Sequence, residues 1–129
     1  MKLHEIGLYA ADPEASRKFY HGILGLRLDH DEPGLAVFDG GWPGLEIGAC
    51  SGYPDRVHIS FIVDDVDRLA NDLRARAVEF EGPADIHLGK RGIMLTDPDG
   101  LCVLVQSPTG ASPEWLQGMV AKEHEGGAA

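Results

Sequence analysis

The chain has 129 residues, 43% of them hydrophobic and 25% charged, the balance of one soluble domain or of two small units sharing a core. Eleven Lys and Arg against 21 Asp and Glu give a formal charge of -10 and a pI near 4.8. Nucleic acid and anionic membranes attract basic surfaces, so this balance argues against both as partners, and no apolar run approaches the ~18 residues a membrane span needs. Cys50 and Cys102 share no metal-type spacing and read as free thiols in a reducing, cytoplasmic setting. The opening Met1-Lys2-Leu3-His4-Glu5 leads straight into a strand pattern and does not resemble a signal peptide.

In chain order, Leu3–Tyr9 is a short strand. Asp12 then offers an N-cap and Pro13 suits the first helical position. Ala15, Phe19 and Ile23 recur at helical spacing, and Gly25 ends the helix. Leu26–Asp29 alternates as a strand, Asp31-Glu32-Pro33-Gly34 is a turn, and Leu35–Phe38 and Gly44–Gly48 are further strands.

The second half repeats this order. Val57–Val63 reads as a strand, Asp65 as an N-cap, and Val66, Leu69, Ala70, Leu73 and Ala77 as one helical face. Val78-Glu79-Phe80 is strand-like and Gly82-Pro83 breaks it. Ile93–Leu95 and Leu101–Val105 are strands joined by a turn at Asp97-Pro98-Asp99-Gly100. Laid over each other, the halves pair His4 with His58 at an offset of 54 (58 − 4), and Asp39 with Asp97 at an offset of 58 (97 − 39), which carries Glu46 onto Leu104. The expected organisation is a first βαβββ unit over 1–50, a second over 55–108, and a C-terminal helix with a frayed tail over 109–129. A unit this small buries its sheet poorly alone, so the two are expected to share a core.

Three motifs in this order resemble one superfamily. Phe19-Tyr20-His21-Gly22-Ile23-Leu24-Gly25-Leu26 is similar to the helix end of vicinal oxygen chelate proteins (glyoxalases, bleomycin resistance proteins and extradiol dioxygenases). Val57–Asp65 is similar to their second opening strand, and Thr96–Gly100 to their final hairpin. The resemblance covers residues 2 to 107. It implies an α+β fold of two tandem βαβββ units forming an open, cupped eight-stranded β-barrel, a homodimer, and in many members a central metal held from four matching strand positions. In this chain those positions are His4, Glu46, His58 and Leu104.

Two imidazoles and a carboxylate suit a divalent Zn, Ni, Fe or Mn ion with coordination sites left open. Such an ion acts as a Lewis acid on a small oxygen-rich substrate that chelates it. The implied function is a metal-dependent glyoxalase-like lyase or a dioxygenase, with His4, Glu46 and His58 as ligands and no general base identified. Leu104 departs from that pattern, because resembling enzymes often carry Glu there and leucine cannot ligate. Gln106 shares its strand parity, and Arg91 is placed to meet an acidic group, so Leu104, Gln106 and Arg91 are expected substrate contacts. Lys90-Arg91 together, in the loop before Ile93, either meet that acidic group or form a solvated turn. Trp42 and Tyr53 read as packing residues or as the rim of a cavity. The apolar corner at Leu104 also suits an alternative, a metal-free small-molecule (drug) binding protein of the bleomycin-resistance type.

Overall fold

The computed structural model describes residues 1–53 and 56–127. The fold is α+β, and the elements run β1 (Lys2–Tyr9), α1 (Pro13–Arg17), β2 (Leu28–Glu32), β3 (Leu35–Asp39), β4 (Glu46–Cys50), β5 (Val57–Ile62), α2 (Val66–Ala75), β6 (Glu81–Asp85), β7 (Arg91–Thr96), β8 (Cys102–Ser107) and α3 (Glu114–Gly127). This is the expected βαβββ order, twice. Eight strands hydrogen-bond in the order β2-β3-β4-β1-β5-β8-β7-β6. Contacts divide the chain into one unit of Leu3–Ser60 and another of Met1–Lys2 with the chain from Phe61 onward, so the division falls inside β5. No helix among the described residues is long and apolar enough to cross a membrane.

In the first unit Asp12 caps α1, its carboxylate accepting from the Glu14 N–H at 3.1 Å, with Pro13 at the helix start. The helix then widens into a π-helical segment over Lys18–Ile23, where Leu24 N–H donates to the Phe19 carbonyl five residues back. Gly25, at φ +78°, ends it as the sequence implies. The extra residue in that turn places Tyr20 against Phe38, with ring centroids 5.3 Å apart, and both join a cluster with Ala36, Ala49, Leu26 and Leu28. β1 and β4 are parallel, with Glu5 opposite Glu46 and Gly7 opposite Gly48.

In the second unit Asp65 caps α2 by accepting from Arg68 N–H at 3.1 Å. Val66, Ala70 and Leu73 bury against Ile93 and Val105. Ile62 packs with Leu116 and Val120 of α3. α3 continues to Gly127, into residues expected to fray. The expected strand at Val78–Phe80 is displaced to Glu81–Asp85, and Gly82-Pro83 lies inside it rather than ending it. Pairing with β7 is irregular between Glu81 and Ala84, and β6 ends the strand order, where a proline without an N–H is tolerated. The turn before β8 forms as expected, with the Asp97 carboxylate accepting from Asp99 and Leu101 N–H at 2.9 and 2.8 Å.

The caps also fix the register of the repeat. Asp12 and Asp65 are 53 residues apart (65 − 12), one fewer than the spacing of the two histidines. Ala10 N–H donates to the Cys50 carbonyl, and Val63 N–H, 53 residues on (63 − 10), donates to the Gln106 carbonyl. The position matching His58 is therefore Glu5, not His4. The same bonds give an offset of 56 (106 − 50) for the closing strands, which carries Gly48, not Glu46, onto Leu104.

Candidate functional site

The polar residues of the first unit gather where β1, β4 and the start of β5 adjoin. His4, Glu5, Glu46, His58 and Tyr53 are all buried, between 1% and 8% exposed. Charged and polar groups hidden this deeply cost several kcal/mol unless each finds a partner (on the order of 2–7 kcal/mol for an unbonded polar group), so their arrangement is informative.

Glu5 is the centre of the group. Its two carboxylate oxygens accept from the Tyr53 hydroxyl at 3.0 and 3.1 Å, and Oε1 lies 3.8 Å from His58 Nε2. The His58 ring meets the edge of Tyr53 at a centroid distance of 4.5 Å and an interplanar angle of 85°. Burial, and after it the facing Glu5 carboxylate, raise the Tyr53 pKa far above the ordinary phenol value. Tyr53 is thus a fixed proton donor. Chain chemistry makes the room: a Cβ on Gly7 would sit 2.0 Å from His58 Cε1, and one on Gly48 would sit 2.4 Å from Glu5 Oε2. These glycines face each other across β1 and β4, so the side chains absent from two paired positions give the space that an imidazole and a carboxylate fill.

The expected ligands His4, Glu46 and His58 divide between two partners. His4 Nε2 lies 3.7 Å from Glu46 Oε1, and its Nδ1 lies 3.4 Å from the Gly44 carbonyl, whereas His58 adjoins Glu5. Among the described residues, no three His, Cys, Asp or Glu side chains are grouped so that they could hold a metal ion. Among the described residues, the three expected ligands are therefore not gathered into one three-donor group. A repeat register set by the two histidines pairs His58 with His4 and leaves Glu5 unmatched. The spacing of the capping aspartates was the signal that would have found it.

The expected substrate contacts lie in the second unit. Leu104 is partly buried and pairs with Met94, and Gln106 is buried opposite Gly92. Arg91 is engaged: its guanidinium donates to Asp67 at 2.9 Å through Nε and Nη2 and to Asp85 at 2.9 Å through Nη1, and these carboxylates raise its pKa. Lys90 is 2% exposed, not the solvated turn residue expected. Trp42 is 72% exposed, whereas Tyr53 belongs to the buried cluster.

A family model described as the glyoxalase/bleomycin resistance protein/dioxygenase superfamily matches residues 2–104. No curated protein matches the sequence. Among solved structures, methylmalonyl-CoA epimerase from Mycobacterium tuberculosis is similar at a TM-score of 0.69 and 19% identity, over 84% of this chain and 88% of that one. A protein described as an NAD-dependent benzaldehyde dehydrogenase from Legionella pneumophila gives 0.68 and 19%, over 81% and 98%. A superfamily member from Vibrio splendidus 12B01 gives 0.60 and 18%, over 84% and 100%. At these identities the structural likeness is one of fold.

Proposed function

The chain belongs to the glyoxalase/bleomycin resistance protein/dioxygenase superfamily, a family of small-molecule enzymes and binders, and from that premise we propose that it binds a small organic molecule at the Glu5–Tyr53–His58 centre without a metal ion. The observation that carries this reading is the bond from Tyr53 to both oxygens of Glu5. The carboxylate that matches His58 in the repeat is occupied by a phenol that stays protonated, and Leu104 provides no further donor. What remains is a buried imidazole beside a hydrogen-bonded carboxylate, a centre that takes up or gives up a proton or a hydrogen bond. Such a centre suits a ligand with a hydroxyl or carbonyl on an otherwise apolar body. The protein acts in this reading as a cytoplasmic homodimer, which predicts a solution mass near twice 13.9 kDa by light scattering.

One observation favours a second reading, the metal-dependent lyase or dioxygenase. Both histidine–carboxylate separations, 3.7 and 3.8 Å, exceed a direct hydrogen bond, and a divalent ion bound by either pair would supply Lewis-acid chemistry there. The test is a thermal-shift screen of aromatic, hydroxy-acid and keto compounds on chelator-treated full-length protein, with metal analysis of untreated protein. The metal-free reading expects ligand-dependent stabilisation that EDTA leaves unchanged. Close to one ion per chain, with stabilisation that vanishes in EDTA and returns with Zn, Ni, Fe or Mn, would overturn it.

A further inference from the structure

Gln106 on β8 is 0% exposed. Its backbone carbonyl accepts from Val63 N–H at 2.9 Å, but neither Nε2 nor Oε1 of its side chain has a hydrogen-bond partner among the described residues. Folded proteins satisfy nearly all buried polar groups, and the exceptions call for an explanation. This amide leaves both a donor and an acceptor unmatched, side by side in one plane.

The surroundings narrow what would match them. Residues directly opposite each other in an antiparallel pair share a face, so Gln106 lies on the face of Gly92, Met94 and Leu104. Val103 and Val105, of the other parity, pack in the α2 cluster. Gly92 offers no cross-strand side chain. A Cβ there would lie 3.1 Å from Ile86 Cδ1 and 3.6 Å from Leu104 Cδ1, so the groups beside this position are apolar. Ile86, Met94 and Leu104 are each only partly buried, so the apolar groups beside the Gly92–Gln106 pair reach toward the surface.

We propose that Gln106 is a recognition residue for a ligand with a cis-amide edge: a lactam, a cyclic imide or a primary carboxamide. Such an edge offers one N–H to Oε1 and one carbonyl to Nε2. A carboxylate offers two acceptors and leaves Oε1 unmatched, and an ether or ester offers no donor. This site is carried by Gln106 alone and does not rest on the Glu5 centre, since a chelator or a substitution at Glu5 leaves its two bonds unchanged.

The test uses the full chain, succinimide as the probe, and N-methylsuccinimide, which lacks the donor, as the control. Succinimide at about five times its dissociation constant raises the wild-type Tm by about 4 °C, and the N-methyl compound does not. In 15N NMR the Gln106 side-chain NH2 signals, identified by their loss in Q106M, move with succinimide only. Q106M without ligand melts about 4 °C higher than wild type, because an unmatched amide is replaced by an isosteric apolar group, and it gives no succinimide response. A wild-type protein indifferent to succinimide, a Q106M protein that melts lower than wild type, or NH2 signals that move equally with the N-methyl compound would each overturn the proposal.

Discussion

The most demanding test of the buried centre is the removal of its empty space by Gly7→Ala. Gly7 is not among the residues with positive φ, so relief of glycine's conformational entropy in a strand would by itself stabilise by roughly 0.5–1 kcal/mol. The structure predicts the opposite sign. The new Cβ would lie 2.0, 2.3 and 2.6 Å from Cε1, Nε2 and Nδ1 of His58, all far inside van der Waals contact. The ring has little freedom to yield, since it is 1% exposed and bounded by Tyr53 and Glu5. Overpacking of this kind costs about 1–3 kcal/mol, and three contacts with a rigid ring place it at the upper end. With an unfolding entropy of roughly 2.1 cal/mol/K per residue over 129 residues, a loss of about 3 kcal/mol lowers the Tm by about 11 °C. Differential scanning calorimetry of wild type, G7A, H58A and the double variant measures it. In the H58A background the same alanine is expected to be nearly neutral, a coupling of about 2 kcal/mol or more. A G7A protein within about 3 °C of wild type, or equally destabilised with and without His58, would refute the packing account.

Further outcomes follow from the same centre. Tyr53→Phe deletes the hydroxyl that serves both Glu5 oxygens and should cost about 1.5–3 kcal/mol, the range for hydrogen bonds to charged groups, read as a fall in denaturation midpoint at unchanged m-value. Because Tyr53 is held protonated above its ordinary pKa, its contribution is complete below about pH 10 and is lost as the pH rises beyond that. Wild-type stability should therefore fall there by up to about 1.4 kcal/mol per pH unit from this group, and Y53F should lack that component of the slope. Arg91→Ala should leave the response to any ligand panel unchanged, anionic compounds included, because the guanidinium is already engaged by Asp67 and Asp85. A selective loss of response to anions would return Arg91 to the binding surface.

Much of the architecture was legible because helix and strand periodicities, the capping aspartates and the turn at Asp97–Gly100 are local signals. β6 was misplaced because a regular reading treats Gly82-Pro83 as a stop, while a terminal strand accommodates both. The π-helical segment at Lys18–Ile23 has no clear sequence mark, since it depends on how Tyr20 meets Phe38. The site was harder to read. Two histidines at similar points of the repeat suggest a register one residue away from the one the caps set, and that shift conceals Glu5. Gly7 and Gly48 were silent in the sequence because their role is to be vacant against side chains brought from β5, β1 and the loop carrying Tyr53. The burial of Lys90 was equally hidden, since adjacency to Arg91 says nothing about which of the two turns inward.

The strand order starts at β2 and finishes at β6, and both strands carry carboxylates: Asp29, Asp31 and Glu32 on one, Glu81 and Asp85 on the other, with Pro83 beside them. A terminal strand is a template for uninvited pairing with another chain, and repelling charge or a missing N–H discourages it. The acidity of these strands thus has a colloidal role. Replacing the β2 carboxylates with Asn and Gln should leave the fold intact while lowering the concentration at which the protein begins to form fibrils or precipitate.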